Sequence, residues 1–391
     1  MPQTRNKFAQ LIKRIFHPLS PNYHEGHAPD YILLGLLCAI LLIGLLMLSS
    51  ATTALAYDKY NGDSYYFVKQ QFFRGIMVGA VLFFLIARIR FERWKKYGIG
   101  WLLATIILLI LVFIPSIAHV EKARSWINIA GITIQTSELA KLTFIFYLAI
   151  WLESHKMVLD NFKRSIIPFT FVLGLVCLLL MLQPDMGTMM VYLGFSLVMY
   201  FVAGMKWRHL LIAIILGSVL VAGLIVVAPY RFERLTTFLH PSSDVLDGGY
   251  QLNQSLIATG SGGWFGLGLG QSRQKFGTLP KVESDSIFAI IAEEWGFILS
   301  SLMVLLYWGI FIRGMRIAKN SPDLFAKLLA TGIVSWITLQ TLMNMAAIIG
   351  LMPLTGLPLP FVSLGGSNLV IAIVAMALLL NISKFTKPAD E

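Results

Sequence analysis

Residues 328 to 383 contain not one Asp, Glu, Lys or Arg. No soluble domain can bury so long an uncharged stretch, whereas an apolar helix crosses a bilayer in about 20 residues. The run therefore holds two membrane spans. They are joined by "GLMPLTGLPLPFVSLGGSN", whose prolines and glycines cannot continue a helix. Residues 31–49, 98–117, 166–184, 186–205, 210–230 and 295–312 are also free of charge. Two further spans carry charge: roughly 68–87, with Lys69 and Arg74, and roughly 138–153, with Glu138 and Lys141. The expectation is an all-α polytopic membrane protein of about ten helices, with a long external loop, 229–286, between the seventh and eighth. Its 57% hydrophobic content and mean hydropathy of +0.74 agree.

Lys and Arg collect in short loops on the cytoplasmic side. With both termini inside, residues 1–30, 88–96, 154–165, 206–209, 313–327 and 384–391 hold 20 of the 31 Lys and Arg. Nine fall on the other face, so the charge sets this orientation. The net charge of +11 then reflects topology and contact with anionic membrane lipids, and with no soluble basic domain nucleic acid is not an expected partner.

Three units follow: a cytoplasmic segment, 1–30; a single transmembrane domain, 31–383; and a cytoplasmic tail, 384–391. In the first, "KFAQLIKRIF" puts Phe8, Leu11, Ile12, Ile15 and Phe16 on one helical face, which suits an interfacial helix or a basic arm. Cys38 and Cys177 lie inside spans, and His24 and His27 lack the i, i+4 spacing of a helical zinc pair. No metal site is expected from them.

The external loop concentrates the polar chemistry. Gly260, Gly262, Gly263, Gly266, Gly268 and Gly270 permit close backbone approach to a ligand, and their N–H groups suit phosphate oxygens. Arg273, Gln274, Lys275, Lys281, Glu283 and Asp285 follow, just before an apolar helix starting near Ile287. Asp285 is placed either to cap that helix or to act in chemistry. Glu293 and Glu294 lie two turns deeper, where an ionised carboxylate needs pairing or water, and so favour a polar cavity. Glu138 and Lys141 are i, i+3 neighbours, and Asp185 stands at the turn "QPDMGT". With Arg124, these groups gather at the external ends of several helices. The expectation is an outward-opening cavity for an anionic, lipid-linked or periplasmic substrate.

The segments "ARSWINIAGITIQTSELAKLTFIFYLA", "QPDMGT", "GGYQLNQSLIATGSGGWFGLGLGQSRQKFGTLPKVESDSIFAIIAEEWGF" and "NMAAIIGLMPLTGLPLPFVSLGGSN" resemble, in order, the signature segments of the SEDS family (shape, elongation, division and sporulation). The likeness runs over nearly the whole membrane domain and is stronger to the division branch than to the elongation branch. It implies a peptidoglycan glycosyltransferase that polymerises lipid II into glycan strands on the outer face of the bacterial cytoplasmic membrane. Its partners would be a class B penicillin-binding protein and other divisome or elongasome membrane proteins. By the same resemblance Asp285 matches the catalytic aspartate, Glu138 and Lys141 the family's acidic and basic pair, and Asp185 its Pro-Asp-x-Gly-Thr turn. The sequence departs from the pattern at Lys281, where the family has glutamate, and at Ser286, Thr136 and Leu364.

An inverting displacement of undecaprenyl pyrophosphate needs one base, here Asp285, and charge compensation, for which Arg124, Lys141, Arg273 and Lys275 are candidates. A divalent cation, Mg or Mn, could sit at the carboxylates, but no ligand set is legible and no other cofactor is called for. A lipid II flippase or lipid-substrate transporter and a non-catalytic scaffold for the penicillin-binding protein are the competing readings. Against transport, no internal inverted repeat is visible and the functional-looking element is an external loop.

Overall fold

The computed structural model describes residues 27–114, 125–129, 132–159, 161–209, 236–239 and 248–386, with scattered positions between 211 and 223. Arg124, the predicted span 210–230 and "KFAQLIKRIF" lie outside the described residues, apart from those scattered positions. The first three long helices are α1 (Tyr31–Lys59), α2 (Tyr66–Ala87) and α3 (Gly98–Leu111, entered through a 3-10 turn, Phe91–Tyr97). A β-hairpin, β1 (Trp126–Ile129) and β2 (Ile132–Gln135), leads into α4 (Thr136–Ser154). Then come α5 (Ile167–Leu182), α6 (Met186–Val202), α7 (Gly248–Ser261), α8 (Ile287–Lys319), α9 (Leu324–Ile348) and α10 (Gly366–Ser383).

Seven helical segments among the described residues are long and apolar enough to cross a membrane, and α6 is a shorter apolar helix. The charged α4 rises about 28 Å over its 19 residues, enough to span the hydrocarbon layer. Nine of the expected spans are thus present among the described residues; α1 runs ten residues beyond its expected end, α8 extends past 295–312 at both ends, and α3 stops six residues short of 117. The extra helix α7 belongs to the external loop.

Helices α4, α9 and α10 form the centre, with α1, α2, α3, α5 and α8 around them. Within lipid, apolar packing supplies little net drive, so close contact at small residues matters most. Gly75 and Gly79 of α2 show this: a Cβ at either would lie 2.8 or 2.7 Å from Leu369 or Ile373 of α10. The first of these glycines sits in a π-helical segment, Gln71–Met77, that also aims Gln71 inward.

The segment 349–365 between α9 and α10 turns back into the bundle, with Leu357, Leu359, Phe361 and Val362 all buried. Non-helical backbone survives at membrane depth only when protein satisfies it. Side chains of the surrounding helices do so: Gln340 Nε2 donates to Pro358 O (2.9 Å), Asn344 Nδ2 to Leu357 O (2.7 Å), Gln71 Nε2 to Ser363 O (3.0 Å), and Tyr307 Oη to Pro360 O.

Three features depart from the sequence reading. The hairpin departs from the all-α expectation, although "WINIAGITIQ" alternates apolar and polar residues on either side of Ala-Gly. In the connection between α9 and α10, the stretch 357–363 packs inside the bundle, with Pro358 half-buried, while Leu351 and Gly356 remain exposed. Of the loop glycines, Gly262, Gly263, Gly266 and Gly268 meet the protein's own backbone while Gly260 and Gly270 have open space around them: α8 breaks at Gly296 (φ 70°), and Gly262–Gly268 lies against the break. There Leu267 N donates to Glu293 O and Gly268 N to Glu294 O, both at 3.0 Å, while Phe297 N donates to Gly263 O at 2.8 Å. A Cβ on Gly262, Gly266 or Gly296 would come within 2.0 to 2.2 Å of opposing backbone.

Candidate active site

Asp285 ends a tight turn ahead of α8. Ser284 N and Ser286 N both donate to Lys281 O (3.0 and 3.2 Å), and Lys281 adopts a left-handed φ of 54°. The helix is capped at Ser286 without a side-chain bond, so the Asp285 carboxylate is not used as a cap. It is buried, yet its partners are few and weakly held. Ser284 Oγ donates to Oδ1 (2.9 Å), Gln251 Nε2 of α7 stands 3.5 Å from Oδ2, and Lys281 Nζ lies 3.7 Å from the same oxygen. The main chain beneath is fixed firmly: Asn344 Nδ2 donates to Asp285 O (2.8 Å), Ser363 Oγ to Ser284 O (2.5 Å) and Leu364 N to Glu283 O (2.7 Å). A rigid backbone thus presents a carboxylate whose oxygens keep free lone pairs. Opposite it, Gly356 (φ +68°) leaves room that a Cβ would narrow to 3.8 Å from Oδ2.

Glu138 and Lys141 form the ion pair anticipated from their spacing, at 2.7 Å, and both are completely buried. The same ammonium donates to Gln340 Oε1 (2.7 Å), which also accepts from Trp336 Nε1 (2.8 Å). Glu138 Oε2, Thr136 Oγ1, Thr188 Oγ1, Thr341 Oγ1 and Asn344 Oδ1 are buried without a partner among the described residues, which makes this the polar heart of the bundle. Asp185 does cap: its Oδ1 accepts from Thr188 N (3.1 Å), and its Oδ2 lies 3.3 Å from the Ser137 hydroxyl. Gln340 and Asn344 lie one turn apart on α9, so a single helix face joins this group to Asp285.

Lys275 is placed differently from its expected role. Its ammonium is buried against Glu294 Oε1 (2.9 Å), Gly270 O (2.7 Å) and Ser50 Oγ (3.3 Å). Glu293 accepts from Ser272 Oγ, Arg273 N and Gln274 N, and Glu294 also from Ser272 N and Ser50. Glu293 and Glu294 therefore do not line a cavity. They clasp the loop 270–275 onto α1 and α8, which holds Arg273 out in solvent and leaves Gln274 half-buried. Among the described residues the predicted polar residues fall into three groups: Asp285 with Lys281, the buried Glu138–Lys141 pair, and the clasp.

Among the described residues no three His, Cys, Asp or Glu gather as metal ligands. The donor set at Asp285 does not fit a protein-held cation, because it offers one carboxylate, with an ammonium 3.7 Å from the oxygen that would ligate. Gln251, Ser284, Asn344, Ser363 and Gln71 were not singled out from the sequence. For Gln71, Asn344 and Ser363 the available signal was an uncharged polar group in an apolar run, since such groups in hydrocarbon need partners; Gln251 and Ser284 lie in the polar external loop and carried no such signal.

The family profile for cell cycle proteins of the FtsW, RodA and SpoVE type matches residues 31–388. The chain belongs to this SEDS family. It is 40% identical over 362 residues to the stage V sporulation protein E of Bacillus subtilis, covering 92% of this chain and 98% of that protein. A probable peptidoglycan glycosyltransferase FtsW of Geobacter metallireducens is 34% identical, with 93% and 96% covered. Among solved structures, one chain of a peptidoglycan synthase complex that coordinates polymerisation and crosslinking superposes with a TM-score of 0.76 at 27% identity, covering 91% of this chain and 98% of that one. The Thermus thermophilus rod shape determining protein RodA superposes at 0.67 and 27%, with 91% and 97% covered. The SEDS architecture is therefore that of a multi-pass membrane protein.

Proposed function

We propose that this SEDS chain is a peptidoglycan glycosyltransferase that polymerises lipid II on the outer face of the cytoplasmic membrane, in division, with both termini inside. The observation that carries the reading is the Asp285 carboxylate: buried, not used as a cap, and set on a turn anchored from three sides. It takes the proton from the acceptor's 4-hydroxyl as that oxygen attacks the anomeric carbon and displaces the lipid pyrophosphate. In this reading the reaction is a single displacement with Asp285 as its one base, and a single displacement inverts the anomeric centre. Lys281, 3.7 Å from Oδ2, and the exposed Arg273 supply positive charge toward the departing pyrophosphate. Glu138, Lys141 and Asp185 keep the adjoining helix ends in place. A class B penicillin-binding protein is the partner that crosslinks the strands; this rests on the peptidoglycan synthase complex whose chain shares the fold.

The test is glycan-strand formation from labelled lipid II by the full chain in vesicles, with and without that partner. Asp285→Asn should lower polymerisation about 10²- to 10⁴-fold, the usual contribution of a positioned base, with an unchanged melting profile. Full activity in the variant would remove Asp285 as the base. Scrambling of lipid II between leaflets without polymer would turn the reading to a transporter.

A further inference from the structure

At the end of the bundle away from Asp285 lies a cavity of about 510 Å³ between the start of α1, the last turns of α8 and the end of α10. That volume falls in the range of small-ligand sites, about 300–1,000 Å³. Among the described residues its charges do not cancel. Asp30 is matched by Arg313, whose Nε and guanidinium NH2 lie 2.9 and 2.7 Å from Asp30 Oδ2, while Oδ1 caps α1 at Leu33 N. Arg316, one turn further on, lines the same cavity, is exposed and has no ion-pair partner among the described residues. Asn320 beside it carries a side-chain amide likewise without a partner there. The His27 ring cannot offset this charge, because its two nitrogens face the carbonyl oxygens of Ala28 (2.8 Å) and Thr386 (2.9 Å). Among the described residues, Arg316 is a lining cation without a carboxylate to match it.

The cavity is not walled off from the apolar surface. Tyr31 and Ile32 line it and are exposed, and Gly35, Cys38 and Leu42 continue their exposed stripe along α1. A single positive charge at the end of an apolar track matches the phosphate and acyl chain of one molecule.

We infer that this cavity binds the headgroup of an anionic phospholipid, with Arg316 and Asn320 on the phosphate and an acyl chain along the Tyr31–Leu42 face. Guanidinium–phosphate bonds are among the stronger polar contacts, and basic pockets between transmembrane helices recruit anionic lipid. The assignment does not depend on the catalytic reading.

The experiment is native mass spectrometry of the purified full chain titrated with phosphatidylglycerol or phosphatidylcholine. Wild type should retain one phosphatidylglycerol, with a preference of about tenfold or more, and Arg316→Gln should lose about tenfold in retention. Arg316→Lys should keep part of it. Lys319→Gln, an equally exposed cation outside the cavity, should change it less than about twofold. Tryptophan-fluorescence melting confirms that each variant is folded. Equal retention of the two lipids would overturn the assignment, as would equal losses in Arg316→Gln and Lys319→Gln. Displacement of the lipid by soluble glycerol phosphate would show a site for free phosphate instead.

Discussion

Gly266→Ala isolates the joint between the glycine-rich segment and the broken helix α8. Gly266 has φ +79°, and a Cβ there would lie 2.1 Å from Glu294 O and 2.6 Å from the carbonyl carbons of Glu294 and Trp295. Both sides of the contact are main chain, so no rotamer relieves it and the joint must open. Opening removes the bonds Leu267 N to Glu293 O, Gly268 N to Glu294 O, Phe297 N to Gly263 O and Ile298 N to Trp264 O. At about 1 kcal/mol each, with about 1 kcal/mol more for a left-handed alanine, the cost is roughly 5 kcal/mol. The control is Gly260→Ala in α7, where nothing lies within 4 Å of the added Cβ and helix propensity gains up to about 1 kcal/mol. Trypsin cleavage after the exposed Arg273 reports the opening, with tryptophan fluorescence for the melt. Gly266→Ala should be cut about a thousandfold faster than wild type, or more, and Gly260→Ala no faster. If both variants were cut and melted alike, the joint would not be what holds the loop.

Other substitutions test the remaining polar groups. Lys275→Met strands the buried Glu294 and should destabilise by about 3–5 kcal/mol, while Lys275→Met with Glu294→Met should recover most of it in a denaturation series. Asn344→Leu releases two buried carbonyls, Asp285 O and Leu357 O, and should cost about 2 kcal/mol or more of stability and reduce polymerisation in the vesicle assay. The third concerns Lys384, at the end of α10, whose ammonium is drawn down to about 8 by burial beside Ala87 O. Between pH 8 and its usual value of about 10.5 the unfolded chain binds the extra proton, so stability rises with pH across that window and is level below it. Melting of wild type and Lys384→Met from pH 7 to 10 should show the rise in wild type alone; parallel curves would refute it.

What the sequence revealed and what it hid divide along physical lines. The spans were legible because charge in hydrocarbon is costly, so each uncharged run announces a helix. The Glu138–Lys141 pair was legible because i, i+3 spacing is a local rule. The fate of Lys275 was not, since its partner Glu294 is 19 residues away and meets it only through the break at Gly296. Nor could sequence show that Gln340 reaches back to Lys141 across 199 residues, or that Asn344 pins the backbone of Asp285. The glycine run was ambiguous because the same freedom that admits a phosphate admits another stretch of main chain. Lys281 was visible as a reversed charge, but its distance from Asp285 came only from the turn at φ 54°.

Below the Glu138–Lys141 pair, α4 continues as Leu142, Phe144, Ile145, Phe146, Leu148 and Ala149, all buried against apolar neighbours such as Tyr192 and Phe195 of α6. This stretch is an insulator. An electrical potential across the membrane falls mainly over such a low-dielectric layer, at about 2.3 kcal/mol per unit charge for each 100 mV. In the outward orientation proposed above, Asp285 would lie on one side of that drop, and proton and pyrophosphate movements there would cross little of the field. Chemistry at that carboxylate would follow the pH and ions of the compartment it faces and be nearly indifferent to whether the cell is energised.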